Sequence, residues 1–213
     1  IARESALLKK KLKDRDLIAA DLFLQLAVDH YSKAINNPDP AVRDTAREAF
    51  LKTLEVAERI GAEHISILPG VEFETDKPGD SFKRAVDELR WRVDKAKDAG
   101  IILGIEAHLG SFCENPQSVK ELVSEVKGLT LTLDYTHFTK LGISDQQIEI
   151  LMPYASHFHA RAACKNRTQT TLQNNTIDYA RVMRTMIDSN YKGFVGLEYV
   201  WFEWEHMNET DIV

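Results

Sequence analysis

Apolar positions along this chain alternate between two periods. Residues 2–13 carry Ala6, Leu7, Leu8 and Leu12 at helical spacing, and an apolar run follows from Leu17 to Leu24. Beyond the turn Asn36-Asn37-Pro38-Asp39-Pro40, the pattern predicts a long helix over about 41–60, stopped by Gly61. The run Ile65–Leu68 ends at Pro69-Gly70. A polar loop (Glu72 to Asp80) then leads to a helix with Phe82, Val86, Leu89, Val93 and Ala96 on one face, closed by Gly100. Three more such units follow. Strand 101–107 precedes a helix near 116–126, which Pro116 starts and Gly128 stops. Strand 129–134 precedes a helix near 144–152. Strand 155–161 precedes a loop and a helix over 176–189, with Thr176 as its N-cap. The last strand, 194–200, runs into an aromatic, acidic tail.

Strands alternating with amphipathic helices imply an α/β domain with a parallel sheet and crossover helices. An open doubly wound sheet and a (β/α)8 barrel both satisfy that description. No G-x-G-x-x-G or G-x-x-x-x-G-K-[ST] follows any strand, so a nucleotide-binding version has no support. No low-complexity stretch or linker interrupts residues 1–213, which read as one domain.

Side-chain alternation within the strands favours the barrel. Glu106 shares a face with Ile102, Gly104 and His108, and Asp134 shares one with Thr130 and Thr132. His157, His159 and Arg161 oppose Ser156, Phe158 and Ala160, and Glu198 lies with Phe194, Gly196 and Val200. Four consecutive strands thus carry an ionisable group on one kind of face, near the C-terminal end. In a barrel, that face is the interior and that end holds the active site. Glu106, Asp134 and Glu198 would converge there, and three carboxylates so close cannot all stay ionised unaided. A divalent cation resolves the conflict, with one imidazole as a fourth ligand. Both His157 and His159 point inward, and only depth separates them. This donor set suits Mn²⁺ best, with Mg²⁺, Co²⁺ and Zn²⁺ as the other candidates.

Arg161 is expected to clamp substrate or to pair with one carboxylate, the clamp being preferred. His108 and His137 lie just past their strands, where a site wall belongs. His64 precedes its strand, which puts it at the opposite end in a bland role, and His30 and His206 have no supporting context. Trp91 reads as helix packing, whereas Trp201, Phe202 and Trp204 could line a pocket mouth or an interface in a homo-oligomer.

Composition narrows the class. The 213 residues include 27 basic and 33 acidic side chains, a formal charge of −6, so no global basic field recruits nucleic acid or a membrane surface. Cys113 and Cys164 are too few for a disulfide framework, and no export signal is evident, which points to a cytoplasmic setting. The chain opens at Ile1 inside a helical pattern, as a piece of something longer would.

Four segments, Gly104-Ile-Glu-Ala-His-Leu-Gly-Ser111, Leu133-Asp-Tyr-Thr-His137, His157-Phe-His-Ala-Arg161 and Gly196-Leu-Glu-Tyr199, resemble the xylose-isomerase-like TIM barrel superfamily. The sugar phosphate isomerase/epimerase group is the nearest likeness. The resemblance implies metal ligands Glu106, Asp134, His159 and Glu198, taking the second His of the His-x-His pair. It also implies substrate contacts from His137 and Arg161, and an acid/base pair of Glu106 and Glu198. The expected chemistry is isomerisation or epimerisation of a sugar, sugar phosphate or polyol through a metal-stabilised enediolate. A dehydratase acting on a cyclic polyol or dehydroshikimate-like acid is the alternative. An abasic-site endonuclease and a degenerate ligand-binding barrel are more remote. In the family's order these ligands sit on strands five to eight. Strands one and two and the closing helix are therefore expected to be absent from these 213 residues, where a full barrel takes about 250.

Overall fold

The computed structural model describes residues 1–201 and 207–208. Six parallel strands form one sheet in sequence order: β1 (Leu22–Leu24), β2 (His64–Ile67), β3 (Ile102–Glu106), β4 (Thr130–Asp134), β5 (Ala155–Ala160) and β6 (Val195–Leu197). The helices are α1 (Ala2–Lys13), α2 (Pro40–Ile60), α3 (Asp80–Asp98), α4 (Pro116–Glu125), α5 (Tyr135–Lys140), α6 (Asp145–Ile148) and α7 (Tyr179–Asp188). The strand order and parallel pairing are those of a (β/α)8 barrel, with six strands among the described residues where that barrel has eight. At the two edges of this sheet, Phe194, Val195 and Leu197 by β6 and Leu17 and Ile18 before β1 are exposed.

Local chemistry starts and stops these elements. Asp39 accepts a hydrogen bond from the Ala41 amide to open α2, and Gly61, at φ 81°, closes it. Asn115 caps α4 by accepting from the amides of Gln117 and Ser118. Two predicted helices differ. The one expected over 144–152 is split into α6 and a 3-10 turn, Glu149–Tyr154, that contains Pro153. The one expected from 176 begins at Tyr179 with Asp178 as its cap, because the Thr176 amide donates to Ala163 O and holds that segment against the preceding loop. Helix α5 was not expected; it starts where the Asp134 carboxylate accepts from the Thr136 amide.

The core lies between the sheet's outward side chains and the helices. Ile65, Ile67, Leu103, Ile105, Leu131, Leu133 and Phe158 pack with Phe50, Leu54, Leu89, Val119 and Leu122, all buried. The inward side is polar. Ser66 and Thr132 hydroxyls meet at 2.5 Å, and Thr130 Oγ1 donates to Leu103 O at 2.7 Å. Strand alternation puts Ser156 outward with Phe158, and the structure corrects this. Leu131 pairs with Ala155 but Thr132 pairs with His157, so Ser156 is the extra residue of a bulge. Its hydroxyl lies 2.5 Å from Thr130 Oγ1 and 2.7 Å from His64 Nε2. His64 also sits 2.6 Å from Asp21 through Nδ1, so it is a buried cross-strand tie at the N-terminal end of the sheet.

Gly104 is required by close approach. A Cβ there would fall 2.7 Å from Thr132 Oγ1 and 2.9 Å from His64 Cε1. Gly104→Ala is therefore expected to destabilise the fold by about 1–3 kcal/mol through overpacking. A lowered denaturation midpoint reads this out, and an unchanged one would contradict the packing described.

Candidate metal centre

Glu106 ends β3 and Asp134 ends β4. His159 lies one residue before the end of β5, and Glu198 follows β6, where its amide extends the ladder by donating to Ala160 O at 3.1 Å. Each of the four offers an atom such that all lie within 4.8 Å of one another. His159 Nδ1 is 2.7 Å from Glu106 Oε1 and 3.5 Å from Glu198 Oε2. Gly196 stands opposite His159 in the β5–β6 register, and the absence of a side chain there leaves room for the His157 and His159 rings.

Asp134 is buried and paired with Arg161, whose Nη2 lies 2.9 Å from Oδ2 and 3.6 Å from Glu198 Oε2. Arg161 Nε donates to Thr136 Oγ1 as well. Of its two expected roles, the carboxylate partner is the one visible in these contacts. His157 is displaced from the carboxylates toward the N-terminal end, its ring 5.3 Å from that of His64.

The electrostatics express crowding. Burial works to raise Glu106, but the hydrogen bond with His159 and the nearby His137 bring it down to about 2. Burial opposes charge on His159 too, yet the Glu106 hydrogen bond and charge lift it to about 9. Glu198 rises to about 7, first through burial and then through Glu106. Burial works to raise Asp134, but Arg161 together with His137 and His159 brings it below its ordinary value. An imidazolium at His159 thus supplies positive charge where the carboxylates need it.

The residues also fit a cation. Three carboxylates and one imidazole are a donor set for a hard or borderline divalent ion. Glu198 Oε2 is buried and has no hydrogen-bond partner among the described residues, although the Glu198 side chain is 30% exposed.

A cleft of about 270 Å³ opens beside these groups, lined by Glu106, His108, His137, Arg161 and Glu198. His137, on α5, lies 3.5 Å from Asp134 and 4.0 Å from Glu106, and burial lowers it to about 4, so it is neutral at pH 7. His108 donates from Nδ1 to Leu109 O at 2.8 Å. Its ring stands 4.3 Å from that of His137 and 4.4 Å from that of His30. His30 was missed in the sequence because it sits in an irregular loop, at φ 60°, where neither strand nor helix period assigns a direction. Two further groupings share these ligands: Glu106 with His108 and His137, and Asp21 with His157 and His159. Trp91 packs beside Phe50, Arg47 and Arg92, in keeping with helix packing. Trp201 is exposed, while Phe202, Trp204 and His206 lie outside the described residues.

Comparison with known proteins follows the same line. The family model for the xylose isomerase-like TIM barrel matches residues 2–212. Among solved structures, a D-tagatose 3-epimerase-like protein superposes with a TM-score of 0.79 at 18% identity, covering 92% of this chain and 76% of the other. A probable 3-DHS dehydratase involved in petrobactin synthesis from Bacillus anthracis gives 0.72 at 16% identity, covering 96% and 79%. A curated relative, a probable endonuclease 4 of Chlorobium luteolum, is 23% identical over 118 residues. That match takes in 54% of this chain and 42% of the relative, so the chain spans well under two thirds of it. The chain belongs to the xylose isomerase-like TIM barrel family.

Proposed function

We propose that this protein is a divalent-metal-dependent isomerase or epimerase acting on a sugar, sugar phosphate or polyol. The observation that carries the reading is the convergence of Glu106, Asp134, His159 and Glu198 beside a cleft whose other polar walls are His108, His137 and Arg161. These four residues would hold the ion, Mn²⁺ being the first candidate. When bound, it would supply charge stabilisation to substrate oxygens as an α-proton leaves.

The chain's own residues do the rest. Glu106 and Glu198 come from strands separated by β4 and β5, so one carboxylate can take a proton from a carbon as the other returns one. Neutral His137 can donate to or accept from a substrate hydroxyl, and Arg161 steadies Asp134 while facing the same cleft. Substrate contact by His108 would add a wall whose ring orientation is fixed by its bond to Leu109 O.

A dehydratase using the same residues is the second reading. Likeness in fold to the 3-DHS dehydratase favours keeping it. Product mass separates the two, since dehydration loses water and isomerisation does not. A nicking assay on abasic DNA addresses the nuclease function of the curated relative, and no cleavage is expected.

Glu106→Gln and Glu198→Gln are each expected to lower kcat by about 10²–10⁴-fold, the usual worth of a general acid or base. They should also abolish exchange of solvent deuterium into the substrate α-carbon. Full activity in both variants would overturn the acid/base assignment.

Metal affinity is expected to depend on pH. His159 is held at about 9 and Glu198 at about 7, so at neutral pH the entering ion displaces protons. Apparent affinity should rise about tenfold per pH unit for each proton displaced, and flatten above about pH 9. Titration calorimetry in buffers of different ionisation enthalpy measures the proton release. Affinity independent of pH from 6 to 8 would contradict the assignment.

A further inference from the structure

Three of the residues that tie the sheet at its N-terminal end are an aspartate, a histidine and a serine, joined in the order that activates a serine. Asp21 Oδ1 lies 2.6 Å from His64 Nδ1, and His64 Nε2 lies 2.7 Å from Ser156 Oγ. We propose that Ser156 is the nucleophile of a second active site, with His64 as its general base and Asp21 orienting the imidazole, that cleaves neutral carboxylic esters with aliphatic acyl groups. This inference is independent of the metal centre and of the isomerase reading.

The contacts set the roles. Asp21 accepts from Nδ1, and the Nε2 lone pair of a neutral imidazole is then turned to the Ser156 hydroxyl. Asp21 and His64 are only 11% and 6% exposed, so water competes little for that pair. Another acceptor for the hydroxyl, Leu131 O, is farther at 3.3 Å. Thr130 Oγ1 is 2.5 Å from Ser156 Oγ and 2.7 Å from Leu103 O, with one proton for the two contacts. Turned to Ser156, that proton steadies the oxygen as its own departs. A hydroxyl pair such as Ser66 and Thr132 is enough to tie strands. A carboxylate set behind an imidazole adds a base.

The backbone is shaped around the same three groups. Strict alternation would set Ser156 outward with Phe158, and the bulge turns it inward instead. A Cβ at Gly193 would collide with Ser156 O, and one at Gly104 would fall 2.9 Å from His64 Cε1. Two glycines thus make room for the bulge and for the imidazole.

Ser156 is also reachable. It is partly exposed and, with Thr130, lines a groove of about 930 Å³ at the N-terminal ends of β3 and β4. Small-molecule sites usually measure about 300–1,000 Å³. Val93, Ile101 and Ile102 line the same groove, and Ile102 is 47% exposed, a surface that an aliphatic acyl chain would cover. Its charged lining has both signs, Lys97 and Lys127 against Asp94 and Glu125, which selects no ionic group.

In the reaction, Ser156 Oγ bonds to the ester carbonyl carbon as its proton passes to His64 Nε2. The bond to the alkoxy oxygen breaks, and that proton leaves with the alcohol. Water then attacks the acylated serine and gives a proton to His64, which returns it to Oγ as the carboxylic acid departs. Ester and water become acid and alcohol, with no other reactant.

Incubation of the whole protein with a fluorophosphonate, followed by peptide mass spectrometry, reads the nucleophile directly. Phosphonylation is expected at Ser156. It should slow at least about tenfold in Asp21→Asn, which keeps a hydrogen bond to His64 but favours the wrong tautomer. Hydrolysis of p-nitrophenyl butyrate is expected to fall at least about tenfold in Asp21→Asn and in Ser156→Ala, with circular dichroism reporting the fold of each. The wild-type rate should be unchanged by EDTA.

No labelling of the wild type, or labelling confined to other residues, would overturn the proposal without recourse to any variant. Equal hydrolysis by the wild type and folded Ser156→Ala would do the same, as would loss of hydrolysis in EDTA, which assigns it to a bound metal. Labelling at Ser156 with no turnover of any sugar would keep this inference and remove the isomerase reading. Sugar turnover beside an unreactive Ser156 would do the reverse.

Discussion

Glu106, Asp134 and Glu198 are brought within reach of a single atom by the strands that end in them, and their mutual repulsion governs the upper end of this sheet. At such separations, with the effective dielectric of a protein interior, each like-charged pair costs about 3–4 kcal/mol. Three uncompensated pairs would rival the whole stability of a domain, about 5–15 kcal/mol. The chain answers with cations. Arg161 is set against Asp134 and an imidazolium at His159 against Glu106, while Glu198 rises to about 7 and keeps a proton part of the time. Those same groups then face a cleft as potential ligands and acid/base groups.

The rest of the fold serves that placement. Outward residues of the strands pack against α2, α3 and α4 and make the sheet rigid. Inward residues form layers. At the bottom, Asp21, His64, Ser156 and Thr130 tie four strands together by hydrogen bonds. Above them, Ser66, Gly104 and Thr132 are close enough that Gly104 has no alternative. The carboxylates come next, with the imidazoles of His30, His108 and His137 at the mouth. Polar side chains are tolerated in the lower layers because they find partners there, whereas His137 Nδ1, His157 Nδ1 and Glu198 Oε2 higher up have none among the described residues.

Much of this was legible in the chain because two periodicities carry most of it. Alternation within strands 101–107, 129–134 and 155–161 was enough to place Glu106, Asp134 and His159 on one face, and the structure brings these together with Glu198. Periodicity cannot foresee a residue that breaks it. Ser156 turned inward through a bulge, and α5 exists because the Asp134 carboxylate caps it. His30 and the contacts of His64 were invisible for different reasons. The first sits in an irregular loop, and the second join His64 to residues 43 and 92 positions away, Asp21 and Ser156. Pairings between residues that are distant in sequence leave no local mark.

The most direct test of the metal centre is anomalous diffraction from crystals grown with Mn²⁺. The account predicts one peak, about 2.0–2.4 Å from an oxygen of Glu106, Asp134 and Glu198 and from a nitrogen of His159. A peak instead among Glu106, His108 and His137, or among Asp21, His157 and His159, or no peak at millimolar Mn²⁺, would contradict it.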